Sequence, residues 1–340
     1  MPTIYIAGSN TGAGTTAVAT SLATRLANNG TEVTPVKALR VGASSDADFA
    51  FHQPLFPNNA APAGLPVTVD SVPDASALGG IIASLKTATQ ASGLTIVEGV
   101  SGDVSNDDHY RIDAALAESL DARVILVSSV DSTSPTQAAQ AFGTNLIGAI
   151  INKVSDHAIH QAETVLAASF LEQGIAVLGV IPETRRMLAL TVGEIAEHLE
   201  AELINATALT SPETQLEELV EHFMLGGLFL DQGAYVFGRR ENKAVIVRGD
   251  RPDLQMAALD TSTACLILTN GKTPVQYIAH HAGLRQTPML ATSAPTLEVM
   301  ERLHSIGDRG SVYNPHKTRC MSELLEVHCN LESLTALWTT

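Results

Sequence analysis

Gly8-Ser9-Asn10-Thr11-Gly12-Ala13-Gly14-Thr15-Thr16 stands between the apolar run Ile4-Tyr5-Ile6-Ala7 and an alanine-rich helical pattern. A strand, a glycine-rich turn and a helix N-terminus aim several backbone N–H groups and the positive end of a helix dipole at one point, which suits a phosphate. In loops of the form G-x-x-x-x-G-K-[ST], a lysine reaches the outer phosphates and the hydroxyl after it binds Mg²⁺. Here Thr15 holds the lysine position, while Thr16 keeps the hydroxyl. Gly8, Asn10, Thr11, Gly12, Ala13, Gly14, Thr15 and Thr16 are therefore candidate ligand-binding residues, and the pattern favours binding over hydrolysis. The competing explanation is that small residues fill strand-to-helix turns merely to let backbones pack closely.

Outward from this loop, short apolar runs alternate with helical patterns. Strands are expected at Ile4–Ala7, Glu32–Val36, Leu94–Val97, Val124–Val127, Leu146–Ile151 and Ala176–Val180. Their unbroken apolar character suits burial on both faces. Helices are expected at Ala17–Ala27, Ala75–Ala91, Asp113–Leu120 and His157–Glu172. Strand alternating with helix implies right-handed crossovers and a P-loop NTPase-like, doubly wound parallel α/β sheet, with ligands at the carboxyl ends of its strands. After a helical pattern at Val192–Glu200, the polar stretch Asn205–Glu213 reads as a linker, dividing the chain into domains 1–205 and 206–340. The second domain restarts the alternation as a smaller α/β unit, with strands at Ala244–Val247, Cys265–Leu268 and Met289–Thr292 and helices at Asp253–Leu259, Pro274–Ala282 and Pro295–Ser305. The long loop 41–67 has the length of a functional lid or a disordered segment.

The chain's 340 residues, 45% hydrophobic, can bury a sizeable core in two domains. A net charge of −16 repels phosphate backbones and anionic lipid, so nucleic acid and membrane surfaces are not expected partners. Three cysteines, Cys265, Cys320 and Cys329, lack metal-ligand spacing and point to a reducing compartment. With no basic leader and no apolar run of about 18 residues, the expected location is cytoplasmic.

Polar residues at strand ends mark where chemistry could sit. Glu98 ends the run Leu94–Val97, at the sheet edge that carries the loop, and pairs with Thr16 as a candidate Mg²⁺ site because Mg²⁺ takes hard oxygen ligands. Asp46 and Asp48 follow the second strand and either could complete that shell. Lys37, at the end of the same strand, could supply the positive charge that Thr15 does not. Asn152 ends another strand, where it could contact an adenine or bond its own backbone. In the second unit Arg248, Asp250, Arg251 and Asp253 surround a strand-to-helix turn. The arginines there could hold an anionic effector, or the aspartates could neutralise them.

Together these segments resemble the two-domain N-terminal portion of long phosphate acetyltransferases. The first domain looks like dethiobiotin synthetase, whose loop has the form G-x-x-x-x-x-G-K-T; Gly8–Thr16 fits it except at Thr15. Lys37, Val97-Glu98-Gly99, Gly148 to Asn152 and Leu178 to Pro182 match further. The second domain resembles the DRTGG family through Gly249-Asp250-Arg251-Pro252-Asp253 and Leu268-Thr269-Asn270-Gly271. The resemblance implies ATP or another nucleotide, Mg²⁺ on Thr16, Glu98 and Asp46 or Asp48, and a catalytic lysine at Lys37. The expectation is a regulatory protein that binds a nucleotide or another small-molecule phosphate ligand with weak or no ATPase activity. It would form a homo-oligomer and partner an enzyme of acetyl-CoA metabolism. The alternatives are an ATP-dependent, carboxylate-activating ligase and a ligand-free interaction scaffold. Acetyl transfer is not expected, because the sequence to residue 340 contains no acetyl-transfer domain.

Overall fold

Among the described residues, the first part of the chain forms the strands β1 (Thr3–Gly8), β2 (Val33–Lys37), β3 (Leu39–Val41), β4 (Val67–Val69), β5 (Leu94–Glu98), β6 (Ser101–Gly102), β7 (Arg123–Ser129), β8 (Leu146–Val154) and β9 (Val177–Pro182). The computed structural model describes residues 2–42, 55, 67–89, 93–102, 104–130, 134–227, 233–306 and 310–330; Asp46, Asp48 and most of the loop 41–67 lie outside the described residues. Six strands form one sheet in the order β2-β5-β1-β7-β8-β9, with every pair parallel. The apolar runs became its strands because helices cover both faces, leaving β1 and β5 buried throughout. The chain crosses to one side of β1 for β2 and β5, then to the other for β7, β8 and β9. This reversal opens a crevice at the carboxyl end of β1, where residues 8–16 lie.

Helices begin where the sequence supplies caps. Asp74 accepts from the Ala77 N–H at the start of Ala75–Ala88. Ser105 accepts from the Asp108 N–H, so the helix expected from Asp113 begins at Asn106 and runs to Ser119. Asp107 and Asp108 in its first turn complement the helix dipole. The short strands β3, β4 and β6 form a small parallel sheet, β4-β3-β6, that the sequence pattern does not reveal.

The second unit contains β10 (Leu190–Thr191), β11 (Glu202–Leu203), β12 (Leu219–Val220), β13 (His222–Gly226), β14 (Lys243–Arg248), β15 (Thr263–Thr269) and β16 (Met289–Ala291). Five of them are ordered β11-β16-β15-β14-β13, parallel except where β11 runs against β16. One face packs Ile246 and Ile267 with Ile195 and Val299; the other packs Val245 and Leu268 with Leu254 and Ile278.

Contacts divide the chain differently from the expected boundary at 205/206. Residues up to Thr184 group with those from Lys317 onward, and Arg185–His316 form the second unit. The reason is pairing at both ends. β11 joins the second sheet, with the Asn205 side chain donating to the Thr287 carbonyl and accepting from the Met289 N–H. The helix Pro315–His328 instead packs on the first unit: Ser21 donates to the Thr318 carbonyl, Arg25 pairs with Glu326 at 2.8 Å, and Cys329 bridges to Gly179. All three cysteines are buried, and burial pushes the thiols of Cys265 and Cys329 up to about 12. Among the described residues no helix is long and apolar enough to cross a membrane.

Gly148 is buried where β8 meets β9, and a Cβ there would stand 2.9 Å from the Ala176 carbonyl and 2.5 Å from Leu178 Cγ. Gly148→Ala is therefore expected to lower unfolding stability by about 1–3 kcal/mol in urea titrations, through overpacking.

Candidate functional site

Gly12 and Gly14 have φ of +85° and +99°, which glycine alone adopts without strain, and Gly14 caps the helix Thr15–Asn28. The loop is braced on three sides. The Ser9 N–H donates to the Val127 carbonyl of β7 at 3.0 Å. Asn152, buried at the end region of β8, donates its side-chain amide to the Ala13 carbonyl at 2.9 Å. Its partner is thus the loop backbone, which neither sequence reading anticipated. A Cβ on Gly14 would collide with that same Asn152 amide, so the glycine is fixed by its neighbour as well as by its φ.

Thr11 anchors the exposed tip. Its hydroxyl donates to the Gly102 carbonyl at 2.8 Å, and His109 Nε2 lies 3.0 Å away. A hydroxyl has one proton, so Nε2 is the donor to Thr11 and Nδ1 is left as an acceptor. That Nδ1 is buried without a hydrogen-bond partner among the described residues, and burial holds the His109 pKa below its usual value. Thr15 turns its Cγ2 methyl toward Gly8, 3.2 Å from a Cβ built there. A short side chain without an ammonium therefore holds the position the motif gives to lysine.

Glu98, at the end of β5, unites the other candidates. Its Oε1 accepts from Thr16 Oγ1 at 2.5 Å and from Lys37 Nζ at 3.1 Å, with the Lys37 and Glu98 side chains each 3% exposed. The parallel register sets Lys37 opposite Glu98 across β2 and β5, which is why residues 61 apart in sequence meet. Glu98 Oε2 is buried and has no hydrogen-bond partner among the described residues. An unspent carboxylate oxygen beside a threonine hydroxyl is a hard-oxygen donor set, so these residues fit Mg²⁺. Among the described residues no group of three or more His, Cys, Asp or Glu gathers to hold a metal. Phosphate oxygens and water would fill most of such a shell.

Sequence reasoning missed the layer beneath. Asp113 is wholly buried, and its Oδ1 accepts from the Tyr5 hydroxyl and the Val100 N–H, each at 2.8 Å. Burial raises the Asp113 pKa to about 7, with the Glu98 charge adding to the rise and the hydrogen bonds opposing it. Gly99 follows from this carboxylate, because a Cβ there would lie 2.6–2.9 Å from its atoms. The available signal was a tyrosine inside an otherwise apolar strand and an aspartate on the apolar side of a helix.

In the second unit, Arg248 grips Asp250 with two hydrogen bonds of 3.0 and 2.6 Å, and Arg251 grips Asp253 with two of 2.9 and 2.7 Å. Arg248 ends β14 and the other three follow it, and each aspartate's pKa is lowered chiefly by the bond to its arginine.

The AAA domain family matches residues 2–189 and the DRTGG domain family matches residues 194–306. Among curated relatives, phosphate acetyltransferase of Haemophilus influenzae is 24% identical over 52% of this chain and 28% of its own length. The enzyme of Nitrosomonas europaea is 29% identical over 52% and 26%, and that of Escherichia coli 22% over 75% and 40%. The chain thus spans well under half the length of these relatives. Similar solved structures include the MinD cell division protein of Aquifex aeolicus (14% identity, 55% of this chain and 85% of that chain, TM-score 0.36). Another is the signal recognition particle 54 kDa protein of Aeropyrum pernix in complex with GDP (15%, 54% and 42%, TM-score 0.37).

Because its folded pKa of about 7 exceeds the ordinary 3.8, Asp113 favours folding fully only below the lower value, and that contribution is lost as pH rises toward the upper one. Asp113→Asn keeps an acceptor for Tyr5 and Val100. Urea titrations at pH 5 and pH 8 should show the variant's stability, relative to the parent, improving at the higher pH by an amount on the order of 1–3 kcal/mol. An unchanged difference between the two pH values would contradict the assignment.

Proposed function

Since the chain belongs to the AAA domain family over residues 2–189, we propose that it is a regulatory protein that binds a nucleotide or related phosphate ligand and turns it over slowly or not at all. The observation carrying this reading is the loop itself: left-handed Gly12 and Gly14, a braced backbone, and a short uncharged threonine at the position whose lysine would supply an ammonium to phosphoryl transfer. Catalysis of that transfer is almost entirely positioning and charge stabilisation. Losing one such electrostatic contact costs about a hundredfold or more in rate. Thr16 Oγ1 and Glu98 Oε2 are the atoms that would hold Mg²⁺, which when bound neutralises charge on phosphate oxygens. Asp46 or Asp48 is proposed to complete that shell, with ATP as the first nucleotide to test.

The match to the DRTGG domain supports an effector-binding and self-associating role for the second unit, with Arg248, Asp250, Arg251 and Asp253 as one effector loop. Similarity to phosphate acetyltransferases supports an enzyme of acetyl-CoA metabolism as partner. A second reading is an ATP-dependent ligase that activates a carboxylate. It is favoured by Lys37, whose ammonium lies 3.1 Å from Glu98 and could stand in for the lysine missing at position 15.

Thermal melts with 1 mM ATP, ADP or inorganic phosphate, with and without Mg²⁺, separate these readings. A ligand at 100 times its Kd adds about 2.7 kcal/mol, a rise of several degrees. The proposal expects that rise for a nucleotide, its loss in Thr16→Ala with recovery in Thr16→Ser, and phosphate release near background. Mg²⁺-dependent release abolished by Lys37→Ala would favour the ligase, and no shift with any of the three would overturn both readings.

A further inference from the structure

The amino ends of β13 and β14 carry a groove of about 590 Å³, lined by Arg185, Glu221, His222 and Arg240 and walled by Val220, Leu303 and Ile306. His222 opens β13, and Arg240 shortly precedes β14. Arg248 and Arg251 lie at and just past the opposite, carboxyl end of β14. A strand of this length spans about 17 Å, so the two arginine groups occupy opposite edges of one sheet.

Charge points to what the groove takes. Arg248, Arg251, Arg285 and Arg302 each hold a carboxylate within 3.3 Å. Arg185 and Arg240 hold none among the described residues, although acidic residues outnumber basic ones 36 to 20. Both guanidiniums act on the groove's imidazole: burial first, and then the charges of Arg185 and Arg240, hold the His222 pKa down. Glu221 opposes them, and its carboxylate already accepts from the Asn242 amide at 3.0 Å. An arginine fork matches carboxylate and phosphate oxygens equally well, and pairs of such forks select planar or tetrahedral anions over neutral groups. The apolar wall gives an attached hydrocarbon a place to leave water.

We propose that this groove is an effector site for an amphipathic organic anion, whose carboxylate or phosphate is held by Arg185 and Arg240 while its apolar portion lies against Val220, Leu303 and Ile306. The site is separate from the loop after β1, so it stands whether or not that loop binds a nucleotide.

Calorimetric titration of the full chain with octyl phosphate, octanoate, octanol and inorganic phosphate tests it, with the amphiphiles below their micelle-forming concentrations. Saturable binding is expected for octyl phosphate or octanoate, at least about tenfold tighter than for octanol or inorganic phosphate. Arg185→Met and Arg240→Met should each weaken it about tenfold, while Arg285→Met, made in the same unit but outside the groove, leaves it unchanged. The agreement of the melting curves of these variants with the parent's keeps a folding defect apart from a binding one. The proposal is overturned by octanol binding as tightly as the anions, by inorganic phosphate binding as tightly as octyl phosphate, by affinity that survives the double arginine variant, or by no saturable binding of either amphiphilic anion.

Discussion

The buried carboxylate of Glu98 is the point on which the first unit's functional end depends. It shares one oxygen between an ammonium and a hydroxyl, and each partner comes from a different element: Lys37 from β2 and Thr16 from the helix after the loop. Breaking a buried ion pair by removing one partner costs about 3–5 kcal/mol, because the survivor is left buried and alone. That cost ties strand order to site geometry. Only with β5 between β2 and β1 do the lysine, the carboxylate and the opening helix meet at one edge.

Around this pair the protein uses small contacts to hold a loop that has little packing of its own. Asn152 supports Ala13 from below, His109 and Gly102 hold Thr11 at the tip, and Ser9 is tied to β7. Asp113 fills the space beside Gly99 and binds Tyr5 and the Val100 N–H, so it fixes the backbone from Glu98 to Val100. A loop held in this way loses little further conformational freedom on meeting a ligand, which favours affinity. Rigidity supplies no charge, however, and Thr15 supplies none either. This is the physical basis for proposing a binder with little turnover.

The six strands of the first sheet were legible because each is a short, mostly apolar, β-rich run between helical patterns, and the loop was legible because its glycines cluster between the first strand and the first helix. The short strands β3, β4 and β6 were not, since two or three residues carry no period. Glu98 with Thr16 was readable as a pair from the logic of strand ends, although 82 residues separate them. The partner of Asn152 was not readable, because its contact with Ala13 spans 139 residues and requires the loop's exact path. The helix Pro315–His328, absent from the expected helices, shows the same limit, because local sequence does not name the surface a helix will cover and this one groups with the first unit from Lys317 onward. Arg248 with Asp250 and Arg251 with Asp253 lie two residues apart, and the neutralising alternative read from their spacing is the arrangement present.

The central claim is that a methyl-bearing residue at position 15 separates binding from phosphoryl transfer. ATP turnover measured side by side for the parent and Thr15→Lys, with ATP affinity determined for both, tests it most directly. The account predicts comparable binding and a rate at least about a hundredfold higher in the variant. Equal rates at equal affinity would contradict it.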